Sequence, residues 1–344
     1  MSNIFIGLII IAIGSFGQSS SYVPIKKVKS WGWENFWLVQ GIFAWLVFPF
    51  LGALLAVSAE ASLYDILSVD AAATLKSAGY GVLWGVGGLT FGLSMRYLGV
   101  ALGQSLALGT CAAFGTLIPA LLNGENLLSG DGLILLLGVG IAVAGIATIG
   151  YAGSLRSQHM SEEEKRAAVK DFALKKGLLI ALLAGVMSAC FSLGLNAGEA
   201  IKNAAIDGGA QPLFALNPVI LLVTFGGFVT NCAYCVYQNI KNKTGRSYFS
   251  VPPKILVNNL LFCALAGILW YSQFFGLGVG QNYLKGSPVM MAFSWSILMS
   301  LNVTFSNVWG IILKEWKGAG QKTAVVLALG MLALIFSLVF PNLF

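Results

Sequence analysis

Histidine is almost missing from this chain: His159 is the only one in 344 residues, and charged side chains make up just 10%. A soluble domain carries roughly one quarter charged residues, so a water-exposed globular surface is excluded. With one histidine, catalytic or metal sites built on imidazole clusters are excluded too. Cysteine is sparse as well. The five cysteines all fall in apolar stretches, and Cys232 and Cys235 form a CxxC with no second ligand pair, which reads as packing rather than a metal or redox site. No cofactor or metal is expected.

Apolar residues fill the chain instead, at 57% of the sequence with a mean hydropathy of +0.83. This is the composition of an integral, all-α membrane protein. A span takes about 20 mainly apolar residues. Turn residues and charges divide the chain into ten such segments, near 3–23, 36–58, 77–97, 100–122, 131–152, 177–198, 213–237, 255–277, 287–313 and 322–341.

The net charge of +7 does not point to nucleic acid, because its placement follows the loops. Lysines and arginines cluster after the odd-numbered segments, and of the 20 only Lys76, Lys202 and Lys285 fall on the other side. By the positive-inside rule both termini then face outward. No basic residue precedes the first apolar run, while Lys26, Lys27 and Lys29 follow it, so this run is expected to remain as the first span and not to be cleaved as a signal.

The third segment is the most patterned. In GYGVLWGVGGLTFGLSMRYLGVALGQ, Gly79 to Gln104, the glycines Gly81, Gly85, Gly88 and Gly92 recur at spacings of four, three and four. Those intervals keep them on one helix face, where small side chains let a neighbouring backbone or a ligand approach. The outline recurs later: Gly267, Ile268, Leu269 and Trp270 match Gly81, Val82, Leu83 and Trp84. In each copy a Tyr-Leu pair, Tyr97-Leu98 or Tyr283-Leu284, follows the Trp by thirteen residues.

Elsewhere the segments carry quieter signals. Span 1 has Gly7, Gly14, Gln18 and Ser21 at helical spacing, a polar strip that should face other helices or a water-filled cavity. Trp31, Trp33 and Trp37 in SWGWENFW suit a membrane interface. Glu60, Asp65 and Asp70 read as solvated loop carboxylates, and so does His159 as a solvated loop side chain. Residues 153–176 form a polar linker in which Ser161 and Glu164 have capping-box spacing. The linker separates a first five-span half, 1–152, from a second, 177–344. Because five is odd, the second half enters the membrane inverted, an arrangement found in many secondary transporters.

At these residues the chain resembles the L-rhamnose–proton symporters, within the ten-span branch of the drug/metabolite transporter superfamily. The matching stretches are PIKKVKSWGWE at Pro24 to Glu34, LWGVGGLTFGLSMRYLGVALG at Leu83 to Gly103, GILWYSQFFGLGVG at Gly267 to Gly280 and LKEWKGAG at Leu313 to Gly320, spread in order over nearly the whole chain. The resemblance implies proton-coupled uptake of a 6-deoxyhexose, L-rhamnose, or a related sugar such as an L-lyxose or L-fucose analogue, across the bacterial inner membrane.

The residues can accommodate that substrate. Sugar hydroxyls require hydrogen bonds and sugar C–H faces pack on aromatic rings, so a sugar pocket needs amides and aromatics together. Trp270, Gln273 and Phe274 share one face of span 8, and Trp295, Met299, Asn302, Ser306 and Trp309 form a stripe on span 9. Gln18, Gln40 and Trp84 join these as candidate sugar contacts. Tyr271 completes the set, and with Gln273 it takes the places that Gly85 and Gly87 hold in the earlier copy. Each of these residues could equally tie helices together.

Coupling is less visible, because no span has an acid near its centre. Glu199, just past span 6 and preceded by Asn196 and Gly198, and Arg96 in MRYLG are the candidates for coupling or gating, with Glu34 and Glu60 near the ends of span 2 as further acids. Two rivals stay open: an exporter or exchanger of another metabolite on the same fold, and a sugar-responsive receptor without net flux. A membrane enzyme would need clustered nucleophiles, bases or ligands, which this sequence does not supply. Oligomeric state leaves no mark in the sequence.

Overall fold

The computed structural model describes residues 2–25, 27–98, 100–158, 174–314, 316 and 318–343. His159, the Ser161 and Glu164 pair and most of the expected linker lie outside the described residues. Among the described residues there is no strand. Helices α1 (Ser2–Ser20), α2 (Tyr22–Ile25), α3 (Trp33–Gly41), α4 (Phe48–Leu54), α5 (Leu63–Ser68), α6 (Ala71–Leu98) and α7 (Val100–Leu122) make up the first part. They are followed by α8 (Gly130–Gln158), α9 (Leu174–Ala197), α10 (Glu199–Asp207), α11 (Asn217–Asn242), α12 (Pro253–Leu284), α13 (Pro288–Ile312) and α14 (Gln321–Val339).

Nine helical stretches among the described residues are long and apolar enough to cross a membrane. The expected third span is not among them, although α6 is a continuous helix of 28 residues. At about 1.5 Å per residue it has the length to cross. Its glycines, with Tyr80, Trp84, Thr90 and Ser94, lower its hydropathy below that of the others.

Helix starts follow local chemistry. Asp70 Oδ1 accepts the backbone N–H groups of Ala72 and Ala73 at 2.8 and 3.0 Å and so caps α6, while Ser62 and Asp65 form a reciprocal capping box on α5. These two acids are therefore exposed caps and not merely solvated loop groups. The Ser62 hydroxyl, with the Ser62 backbone N–H, holds the Asp65 carboxyl below its ordinary range.

The chain forms two compact units, each assembled from both sequence halves. One comprises residues 1–8, 86–193 and 283–344; the other comprises 9–85 and 194–282. In the first unit α13 is the most enclosed span, with α7, α8 and α14 against it. Gly145 of α8 and Gly330 of α14 bring those helices backbone to backbone. In the second unit α11 runs beside α3, α4 and the first half of α6. A Cβ at Gly81 would run into the Val223 carbonyl and one at Gly226 into the Ala78 carbonyl, while Thr230 Oγ1 donates to the Val82 carbonyl at 2.9 Å. Small residues at such crossings allow the close backbone packing that drives helix association in lipid.

Candidate functional site

The second unit holds a file of indole rings. Between α3 and α4 the helix widens into a π-helical turn, Ile42–Val47, in which the Phe48 N–H reaches back to the Phe43 carbonyl. Pro49 accounts for the widening: it has no N–H, and its ring would clash with the carbonyl four residues earlier, that of Trp45. Trp45 sits on this turn, 3% exposed.

Two indoles meet Trp45 edge-on, Trp84 of α6 at 6.1 Å between centroids and Trp270 of α12 at 6.0 Å, and they lie 5.7 Å from each other. The file continues through Phe274, 5.1 Å from Trp270, and in the other direction through Trp37 at 5.7 Å and Trp33, stacked on Trp37 at 5.3 Å. The repeated Gly-x-x-Trp motif thus puts its two tryptophans in ring contact. Glycines seat the rings: a Cβ at Gly41 would strike the Trp45 ring, and one at Gly227 the Trp84 ring.

Polar groups border this aromatic file. Gln273 is buried and its Nε2 donates to the Trp270 carbonyl at 3.2 Å. Tyr271 is buried beside Gly52 and donates to Asn217 Oδ1 at 3.2 Å. Gln18 is half-buried and accepts from the Ser19 hydroxyl at 3.3 Å. Gln40 is 2% exposed, and among the described residues its Oε1 is buried without a hydrogen-bond partner, as are Trp45 Nε1 and Asn217 Nδ2. Burying such atoms unpaired costs about 1–3 kcal/mol each.

Trp295 and Asn302, the other expected sugar contacts, are buried in the first unit. There the Trp295 N–H donates to the Cys111 carbonyl at 3.2 Å, and its ring stacks on Phe191 at 5.8 Å over Gly115.

The glycines of the third segment divide. Gly81 and Gly85 are buried at close helix crossings, against Val223 and Thr230; Gly88 and Gly92 are exposed, with no described atom within 4 Å of an added Cβ.

Glu199 lies exposed in the first turn of α10. Arg96 falls in α6, with its side chain outside the described residues. Glu34 is the one buried carboxylate among the described residues: Asn242 Nδ2 and Thr244 Oγ1 donate to its Oε1 at 3.0 and 2.6 Å. Beside it Asn35 Nδ2 donates to Asn239 Oδ1 at 3.1 Å, and Asn239 Nδ2 to the Tyr248 hydroxyl at 3.0 Å. The Trp31 N–H donates to the Ser247 carbonyl at 2.9 Å and the Trp37 N–H to Asn231 Oδ1 at 3.0 Å, so these interface tryptophans also bind the start of α3 to α11 and the loop that follows it.

A groove of about 700 Å³ opens at this end of α11, lined among others by Leu38, Asn239, Ile240, Lys243, Arg246 and Tyr248. Its lining joins one amide, Asn239, to two cations and aliphatic groups, and no indole is among the described residues that line it, so it does not offer the pairing of amide and indole that a neutral sugar needs.

Trp45 and Asn217 were hidden in the sequence. Trp45 lies in the unbroken apolar run IFAWLVFPF, where only Pro49 signals an irregular turn, and Asn217 lies just before Pro218 near the start of the expected seventh span, 213–237. Cys232 and Cys235 are free thiols, the latter buried.

The family described as L-rhamnose-proton symport protein matches residues 1–342. An L-rhamnose-proton symporter of Yersinia pestis (strain Pestoides F) is 34% identical over 339 residues, 97% of this chain and 96% of the relative. The protein of the same description from Klebsiella pneumoniae subsp. pneumoniae is 34% identical over 330 residues, 94% of this chain and 93% of the relative.

Proposed function

This chain belongs to the L-rhamnose-proton symport protein family, and from that membership we propose that it takes up L-rhamnose, or a closely related sugar such as L-lyxose or an L-fucose analogue, together with a proton. It is a multi-pass transporter of the bacterial inner membrane and not an enzyme. The observation that carries the sugar reading is the ring contact between Trp84 and Trp270 with Gln273 beside it, because indole rings next to an amide offer a sugar's C–H faces and hydroxyls the contacts they need. Gln18, Gln40 and Tyr271 complete the proposed contacts in that unit. Trp295 and Asn302 enter the proposal through their helical stripe alone.

The transport cycle we propose is alternating access by two inverted five-span repeats, 1–152 and 177–344, joined by a cytoplasmic linker at 153–176, with both termini outside. The duplicated Trp motif and the alternating loop charges support it. For the proton, Glu199 is accessible to solvent, whereas Glu34 is enclosed and hydrogen-bonded. A carboxylate whose protonation breaks such contacts can couple charge to conformation. Arg96 is the proposed gating cation.

Uptake of labelled L-rhamnose into proteoliposomes, with and without an inward proton gradient and with L-fucose, L-lyxose and D-mannose as competitors, tests this. Saturable flux that rises with the gradient is expected, and Glu34→Gln or Glu199→Gln should abolish the gradient response. Flux indifferent to the gradient would remove symport. Absence of saturable flux, with or without binding, would remove transport of this sugar and favour the receptor or another cargo.

A further inference from the structure

We propose that Trp45 is the specificity-determining hydrogen-bond donor of the sugar site, a mobile side chain that the π-helical turn Ile42–Val47 lets swing between covering and contacting the substrate. This rests on the sugar reading above. An indole N–H is a donor only, and that of Trp45 is sealed in the protein with no acceptor among the described residues. Five positions earlier on the same helix, Gln40 Oε1 is an acceptor sealed with no donor. A sugar hydroxyl is both donor and acceptor, so one class of ligand satisfies both groups.

The ring's position explains why it must move. Trp45 stands edge-on to Trp84 and Trp270 at once, at 6.1 and 6.0 Å, and occupies the angle between them. A sugar lying in that angle, against both rings at once, requires Trp45 to leave it. The backbone beneath it is suited to such a shift. A π-turn holds its chain with i→i−5 bonds and recurs at functional sites, Pro49 withholds one N–H from the ladder, and Gly41 leaves the ring free of a Cβ.

The covered state leaves the donor unpaired, and a ligand oxygen pairs it only once the rings have parted. The sugar therefore has a different affinity for the two states, which is what a ligand needs in order to shift a conformational equilibrium. A sugar without the matching hydroxyl forfeits that gain and is rejected more sharply than lost contact area alone would cause.

The test is competition against labelled L-rhamnose uptake by 2-, 3- and 4-deoxy derivatives of L-rhamnose. In the native protein one derivative should compete about tenfold worse than the others. Trp45→Phe keeps a ring and removes the N–H. It should raise the KM for L-rhamnose about five- to tenfold and erase that one derivative's deficit. Gly41→Ala keeps the N–H but forces the ring off its covering seat, so it should lower KM while the deficit persists. The proposal is overturned if the native protein shows no single deficit, if Trp45→Phe leaves the deficit in place, or if KM is unchanged in both variants. Lack of saturable L-rhamnose uptake by the native protein would instead defeat the sugar reading on which this rests.

Discussion

Trp45 and Trp295 are both buried tryptophans set over a glycine, one in each compact unit, yet they are held in opposite ways. Trp295 stacks nearly parallel on Phe191, at 19° between ring planes, and gives its N–H to the Cys111 carbonyl. Trp45 meets Trp270 and Trp84 at 84° and 87°, and among the described residues its N–H has no acceptor. Burial is the same to within a few per cent, so burial does not distinguish them. What differs is whether the polar edge of the ring is satisfied. A satisfied indole is anchored; an unsatisfied one is held only by packing and raises the free energy of the state that contains it.

This contrast can be broken in three places. The largest effect is expected on transport. Trp270→Ala or Gln273→Ala should reduce L-rhamnose uptake at least about tenfold while the protein still inserts, since each strips a ring face or an amide from the proposed site; normal uptake by both variants would detach the aromatic file from the substrate. The next effect is on stability, read by unfolding in mixed micelles. Trp295→Phe should cost about 1 kcal/mol because it deletes a made hydrogen bond, whereas Trp45→Phe should be neutral or slightly stabilising because it deletes an unmade one. Equal losses would erase the distinction between the two rings. The smallest is at Gly88, where an added side chain meets open space. Gly88→Leu should leave stability within about 0.5 kcal/mol and still slow transport if this face of α6 supplies room for substrate or movement; unchanged transport would assign that role to Gly81 and Gly85 alone.

Much of the architecture was legible because it depends on composition and period. The membrane class and nearly all the helices follow from long apolar runs broken by charge and turn residues, and α6 is helical where its pattern places it even though its glycines hold down its hydropathy. The Gly-x-x-Trp repeat singles out Trp84 and Trp270, and their rings are in contact. The site was legible only in part. Gly81, Gly85, Gly88 and Gly92 share one periodicity, but only the first two meet a neighbour, and no spacing rule says where along a helix its partner ends. Glu34 reads as an interfacial acid until the chain from Thr244 and Asn242 closes over it.

The sequence by itself determined that this is a helical membrane protein with a duplicated tryptophan motif, because the cost of leaving apolar residues in water and backbone polar groups in lipid acts on each segment separately. Only the tertiary structure decided which polar atoms are paired. Whether the N–H of Trp45 or of Trp295 finds a carbonyl depends on residues more than a hundred positions away or on none at all, and hydrogen bonding acts over a few ångströms of space, not along the chain.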